Sequence, residues 1–125
     1  MLFRSLAEPD PRKALLLWVQ SVTDTAARTA PLGEVLTAAA DIDPSAAELL
    51  AEASRNRLLG ASMFIRYLAS LDGLATGRTE QHAAELCWAL TDGHLYRLLV
   101  AQRGWSTADF NQWLSDSLAA ALLPT

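Results

Sequence analysis

Two histidines and a single cysteine are the residues best suited to chemistry in this chain. A Cys/His nucleophile pair needs both side chains on one helix face, but His82 and Cys87 are five residues apart and fall on different faces. The Glu-x-x-His spacing of di-iron bundles is absent, because Thr79 and Thr91 stand three residues before the two histidines. His82 and Glu85 have the spacing of a solvated pair more than that of half a metal site. We therefore expect no catalytic residue, no metal site and no cofactor.

Composition favours one helical domain in a reducing compartment. Hydrophobic residues make up 51% of the 125 residues, which is enough for one core, and alanine and leucine dominate them. The net charge is -4, with nine arginines and one lysine but no basic run, so we expect no direct binding of nucleic acid by this chain alone. A lone cysteine excludes an internal disulfide and favours the cytoplasm. No signal peptide or membrane-spanning segment is expected.

Helix-capping residues divide the chain. Asp-Pro pairs at Asp10 and Asp43 each place a cap before a proline at the first helical position. Ser106 is a further cap, and Trp105 is placed to staple onto Phe110. These signals predict an all-α single domain of five to six helices, preceded by a poorly ordered segment 1–9. The predicted pieces are 11–28, a short helix after a break at Ala30-Pro31, 44–71, a helix from Thr79, its continuation past a break at 91–93, and a helix from Ser106.

Charged residues recur along the long helix 44–71. Arg55, Arg57 and Arg66 are spaced to lie near Glu48 and Glu52 on successive turns. The pattern is typical of a solvated face, and we interpret these arginines in that way.

Several short motifs follow one another in a fixed order along residues 10–123. The series runs through two Asp-Pro helix starts (Asp10-Pro11 and Asp43-Pro44), the Gly-Leu-x-x-Gly loop 73–77, Trp88-Ala89-Leu90, Leu-Tyr-Arg-Leu-Leu-Val at 95–100, Arg-Gly-Trp-Ser at 103–106 and Trp113-Leu114. Taken as a whole, this series resembles the C-terminal domain of TetR-family transcriptional regulators.

The resemblance implies a homodimer in which the last two helices of each chain form a four-helix bundle. Two adjacent apolar stripes at the end of the chain support this expectation, since large apolar patches are usually interfaces. The expected interface residues are Leu95, Leu98, Leu99, Phe110, Trp113, Leu114, Ser117 and Leu118.

The same resemblance implies a small, mostly apolar effector bound among the central helices. The candidate ligand-binding residues are Trp18, Val22, Met63, Phe64, Tyr67 and Cys87. Side chains at helical spacing also simply fill cores, and that alternative stays open for each of them. Tyr67 is the strongest candidate, because a buried phenol needs a hydrogen-bond partner.

We expect an effector-sensing and dimerisation domain of a TetR-like regulator, controlling a DNA-binding module that is missing before Asp10. Such a module was either removed or is absent from the gene, and the sequence leaves this open. The alternative is a stand-alone dimeric helical interaction protein without a role at DNA. The sequence names neither the effector nor the operator and target genes.

Overall fold

The computed structural model describes residues 2–124, with side chains from Arg4 onward. It is all-helical, with 78% helix and no strand in that span, which confirms the predicted fold class. None of the helices described is both long and apolar enough to cross a membrane. The elements are α1 (Leu2–Ser5), α2 (Pro11–Ala39), α3 (Pro44–Ser70), α4 (Glu80–Leu90), α5 (His94–Tyr96) with a π-helical turn (Arg97–Gln102), and α6 (Thr107–Leu122).

The predicted caps begin the four long helices. The Asp10 carboxylate accepts hydrogen bonds from the backbone N–H groups of Arg12 and Lys13, and Asp43 accepts one from Ser45. Thr79 caps α4, and Ser106 caps α6 through the N–H of Asp109 at 3.0 Å. Each cap satisfies N–H groups that have no partner within the helix.

The predicted break at Ala30-Pro31 is wrong. Helix α2 continues through Pro31 to Ala39, so four long helices replace the five to six expected. Proline removes the N–H that would bind the carbonyl of Ala27, but Ala27 is exposed and water can solvate that oxygen. The Thr29 hydroxyl donates to the carbonyl of Thr25 at 2.8 Å and adds a local bond beside the gap.

The core lies where α2, α3, α4 and α6 meet. Helix α2 packs against α3 and α6, while α4 packs against α3 and α6. Each helix contributes residues at a spacing of three or four, as expected of one buried face. The fully buried large side chains include Leu15, Val19, Phe64, Ile65, Leu68, Leu114, Leu118 and Leu122.

The described part of the N-terminal segment contacts α2 and α3, and the poor order predicted for residues 1–9 stays a prediction. Helix α1 contacts α2, and the Ser5 side chain is buried. The Tyr67 hydroxyl donates a 2.7 Å hydrogen bond to the carbonyl of Glu8 and so ties this segment to α3. The composition of the segment did not predict this hydrogen bond, because its acceptor is a backbone carbonyl. Met1 lies outside the described residues.

Residues 24–52 form a helical arm that extends past the core. The arm comprises the second half of α2, the loop 40–43 and the first turns of α3. Within it only Ala46 is buried, and none of its residues belongs to the buried core cluster. The arm therefore exposes apolar side chains that the core would otherwise have covered.

Replacing Pro31 by alanine should stabilise the protein by about 2 kcal/mol. The substitution restores the hydrogen bond to Ala27 and removes the clash of the ring with the preceding turn, while the unfolded chain gains some freedom. Denaturation in urea measures the free energy of unfolding.

The matched control is Pro44→Ala at the first position of α3, where proline is well tolerated. That variant should lose about 0.4–1 kcal/mol. Destabilisation by Pro31→Ala would contradict a continuous helix through this position.

Candidate functional site

Two aromatic residues from the predicted ligand set fill the centre of the core. The rings of Trp18 on α2 and Phe64 on α3 stack face to face, with centroids 5.0 Å apart and planes 5° apart. Trp18 is 4% exposed and Phe64 is fully buried. The structure brings these two candidates together, but they contact each other and leave no room between their faces.

The other four candidates are divided between core and surface. Cys87 is fully buried, and Val22 packs half-buried against the core. Tyr67 is half-buried, with its hydroxyl bound to the Glu8 carbonyl. Met63 is 48% exposed and is not part of the buried core. The six residues therefore do not line one common hollow.

Two hollows lie near the loop between α3 and α4. One, of about 350 Å³, is lined by Arg78, His82, Glu85 and Leu86 and is wide open to solvent. The other, of about 530 Å³, is also open, and its lining includes Asp72, Leu74 and Pro124. Neither hollow contains a residue of the predicted ligand set. Their mixed charges and shallow walls lack the enclosed apolar character of most small-molecule sites.

The cysteine and the histidines are separated by burial. Cys87 lies in the core, whereas His82 and His94 are exposed. Burial raises the pKa of the Cys87 thiol to about 12, so the thiol is protonated at neutral pH and is a poor nucleophile. Among residues 2–124, no three His, Cys, Asp or Glu side chains are grouped closely enough to hold a metal ion.

The predicted interface residues fall into two groups. Phe110, Leu114 and Leu118 are at most 3% exposed and belong to the core of the single chain. A partner cannot reach them in this conformation, because α6 turns this stripe inward against α2 and α4. The other five are half-buried and keep part of their surface free, and three of them also pack against the core. The five are Leu95, Leu98, Leu99, Trp113 and Ser117, and those packed against the core are Leu95, Leu99 and Trp113.

The ring of Phe110 fixes this corner of the molecule. Tyr96 packs edge-on to it at 5.4 Å, and Trp113 lies tilted at 5.9 Å. Trp105 is 37% exposed, and its stapling onto Phe110 stays a prediction. The aromatic contacts thus hold α5 against α6 from within the pair.

The segment Arg97–Gln102 is π-helical, so its backbone hydrogen bonds span five residues, one more than in an α-helix. The N–H of Arg103 donates to the carbonyl of Leu98, five residues back. The N–H of Trp105 donates to the carbonyl of Leu99, one residue further back than in the usual helix-ending motif, with Gly104 at φ +77°. Wide turns of this kind are rare and frequently occur at functional sites. Here the turn carries Leu99 and Val100, which pack against the core.

Sequence reasoning missed a set of contacts between Arg57 and Ser54 on α3 and Trp88 on α4, called the clamp below. The Trp88 indole N–H donates to the carbonyl of Ser54 at 3.1 Å, and the Arg57 guanidinium donates to the carbonyl of Trp88 at 2.8 Å. The same guanidinium lies 5.6 Å from the centre of the indole ring. Burial lowers the pKa of Arg57, and the Asp92 carboxylate opposes that shift.

The interpretation of Arg57 as part of a solvated face is therefore wrong. Its neighbour Arg55 is exposed as expected, so the repeat of charges gave no warning. A tryptophan on the facing helix was the only signal available, and pairing the two requires knowledge of how α3 and α4 align.

Three buried polar atoms have no hydrogen-bond partner within the described protein. They are the Thr23 hydroxyl on α2, the Asn111 side-chain oxygen and the Ser115 hydroxyl on α6. Asn111 and Ser115 are four residues apart and so lie on one face of α6, which packs on α2. Unpaired polar atoms weaken the α2–α6 contact relative to an all-apolar one.

Comparison of this chain with protein-family models, with curated proteins and with solved structures found no match.

Removing the Arg57 side chain should destabilise the protein by about 1–2 kcal/mol. Arg57→Ala breaks a part-buried charged hydrogen bond and the contact with the Trp88 ring. Arg55→Ala, two residues away and exposed, is the control and should change stability by less than about 0.5 kcal/mol. Thermal and urea denaturation of the three proteins measure the difference, and equal effects of the two variants would show that the clamp contributes nothing.

Stability should fall at alkaline pH because of Cys87. The thiol has a pKa of about 12 when folded and 9.0 as its ordinary value, so above pH 9 the unfolded chain releases its proton first. The free energy of unfolding then decreases toward a slope of about 1.4 kcal/mol per pH unit until pH 12. Other groups titrate in this range, so the measurement is the difference in slope between wild type and Cys87→Ala. Parallel curves would mean that the thiol ionises equally in both states.

Proposed function

We propose that this chain is the effector-sensing and dimerisation domain of a TetR-like transcriptional regulator. It would control DNA binding by a module that these 125 residues do not include. The ordered series of motifs between Asp10 and Leu114 supports the family. The incompletely covered face beside α6 supports the dimer.

The observation that carries the proposal is the dimer face, defined as Leu95, Leu98, Leu99, Trp113 and Ser117. All five are half-buried, so each keeps part of its surface toward solvent, and Leu95, Leu99 and Trp113 also pack against the core. A second copy placed on this face would complete their burial, and apolar area removed from water stabilises association. The two α5–α6 pairs would then form a four-helix bundle. Phe110, Leu114 and Leu118 would support that bundle from the core of each chain.

Effector binding requires the Trp18–Phe64 stack to open. An apolar ligand between α2 and α3 would replace one ring contact by its own, with Val22 and Cys87 beside it and Met63 at the rim. Tyr67 offers the polar contact, because an acceptor on the ligand could take its hydroxyl from the Glu8 carbonyl. Loss of that bond would release the N-terminal segment, through which a preceding DNA-binding module would be attached. The ligand thereby shifts the population between two arrangements of that segment.

The second candidate is a stand-alone dimeric interaction protein without a role at DNA. The direct stacking of Trp18 on Phe64 favours it, since the two rings themselves fill the space that an effector would have to enter. The dimer face serves both candidates, and only the effector distinguishes them.

Native mass spectrometry of the purified protein tests both parts. We expect a homodimer at micromolar concentration with an additional bound small-molecule mass. A dimer without such a mass, and without a rise in melting temperature over a library of apolar compounds, supports the interaction protein. A monomer contradicts both candidates.

The variant Leu98→Ser/Leu99→Ser should weaken the dimer at least tenfold, because two half-buried leucines leave the interface. Leu59→Ser, at a 61% exposed position on α3, is the control and should remain dimeric. Circular dichroism checks that both variants retain their helices.

A further inference from the structure

The outer face of the arm contains an exposed apolar seam, defined as Leu32, Val35, Ala39 and Ile42. Leu32, Val35 and the half-buried Ala39 follow each other at intervals of three and four, so they form one strip along α2, and Ile42 comes three residues later in the turn after the helix. The N–H of Ile42 donates to the carbonyl of Ala39, which continues the strip past the end of the helix.

The seam is unusually exposed for its composition. Leu32 is 61% exposed, Val35 64% and Ile42 88%. Single exposed apolar residues are ordinary. Three large ones in one row are typical of a surface that packs against another helix. The 3-4-3 spacing equals that of the contact positions in a coiled coil. The shape of the surface therefore fits a helical partner.

The charge of the arm indicates which charge a helical partner would carry. Residues 24–52 contain six carboxylates and one arginine, Arg28, and all seven of these side chains are exposed. Outside the arm the chain has eight carboxylates and nine basic residues, so the net negative charge of the molecule comes from the arm. Such a field attracts a basic partner and repels a nucleic acid or an anionic membrane. A second copy of the arm, carrying the same six carboxylates, is repelled too.

We propose that the seam is a docking surface for a basic amphipathic helix of another protein. The apolar face of that helix packs on Leu32, Val35 and Ile42, and its lysines or arginines face the carboxylates of the arm. The interaction involves none of the residues of the dimer face and does not depend on an effector. It stands whether or not the chain is a regulator.

The probe is a fluorescein-labelled 14-residue helical peptide of leucine and lysine, with leucines at coiled-coil spacing, titrated with the full chain. Fluorescence anisotropy should show saturable binding that weakens as salt is added. A peptide of the same pattern with glutamate in place of lysine should not bind. Equal binding of the two peptides would overturn the role of charge and with it the proposal.

Leu32→Ser tests the seam against a matched control. Leu32 and Leu59 are both 61% exposed, but Leu59 lies on α3 outside the arm. Leu32→Ser should weaken binding of the lysine peptide roughly tenfold, and Leu59→Ser less than about twofold. Both should keep the melting temperature of the wild type, because neither position is buried. Equal losses in the two variants would place the peptide elsewhere and overturn the proposal.

Charge and self-association provide the remaining arms of the test. Glu34→Gln/Asp41→Asn should weaken binding of the lysine peptide and flatten its salt dependence, and unchanged binding would count against the proposal. Sedimentation of wild type and Leu32→Ser asks whether the seam is already covered by a second copy. If the variant alone dissociates an oligomer, the occupant is this chain itself and a basic partner is ruled out.

Discussion

The contact on which the rest of the structure depends is the stack of Trp18 on Phe64. It joins α2 to α3, the two longest helices, at the level where α4 and α6 also reach the core. Two aromatic rings bury more apolar area than any other pair in a small domain, and stacking adds specificity of orientation. Because a core of 125 residues is limited in size, helix beyond this level has little left to pack against. The exposed arm follows from that limit.

The sequence predicted local structure correctly wherever a side chain forms a hydrogen bond with backbone close to it in the chain. Asp10, Asp43, Thr79 and Ser106 cap helices through atoms two or three residues away, and each was predicted correctly. Pro31 shows the limit of the same reasoning. A proline costs free energy in a helix interior. Whether the helix ends there depends on how much apolar surface the chain would bury if it turned at that point. In an exposed arm neither path buries much, and α2 continues.

Contacts between helices could be predicted only in part. Periodicity identifies the apolar face of a helix, but it does not say which other element covers that face. The stripe Phe110, Leu114, Leu118 was recognised as apolar, but the spacing of three and four is the same for a core and for an interface. Arg57 illustrates the converse, since a charged residue among other charges turned out to hold a backbone carbonyl and an aromatic ring. In both cases the deciding information lies on a different helix.

The two surfaces left incompletely covered differ in a way that bears on their use. The proposed dimer face is half-buried, and Leu95, Leu99 and Trp113 in it pack against the core. The seam lies on the part of α2 beyond the core and is exposed, so a partner there must supply both apolar contact and opposite charge. Apolar surface that the core already orients suits a permanent partner, whereas an exposed charged arm suits an exchangeable one whose affinity depends on salt. If both proposals hold, α5 and α6 serve assembly and the arm serves recognition.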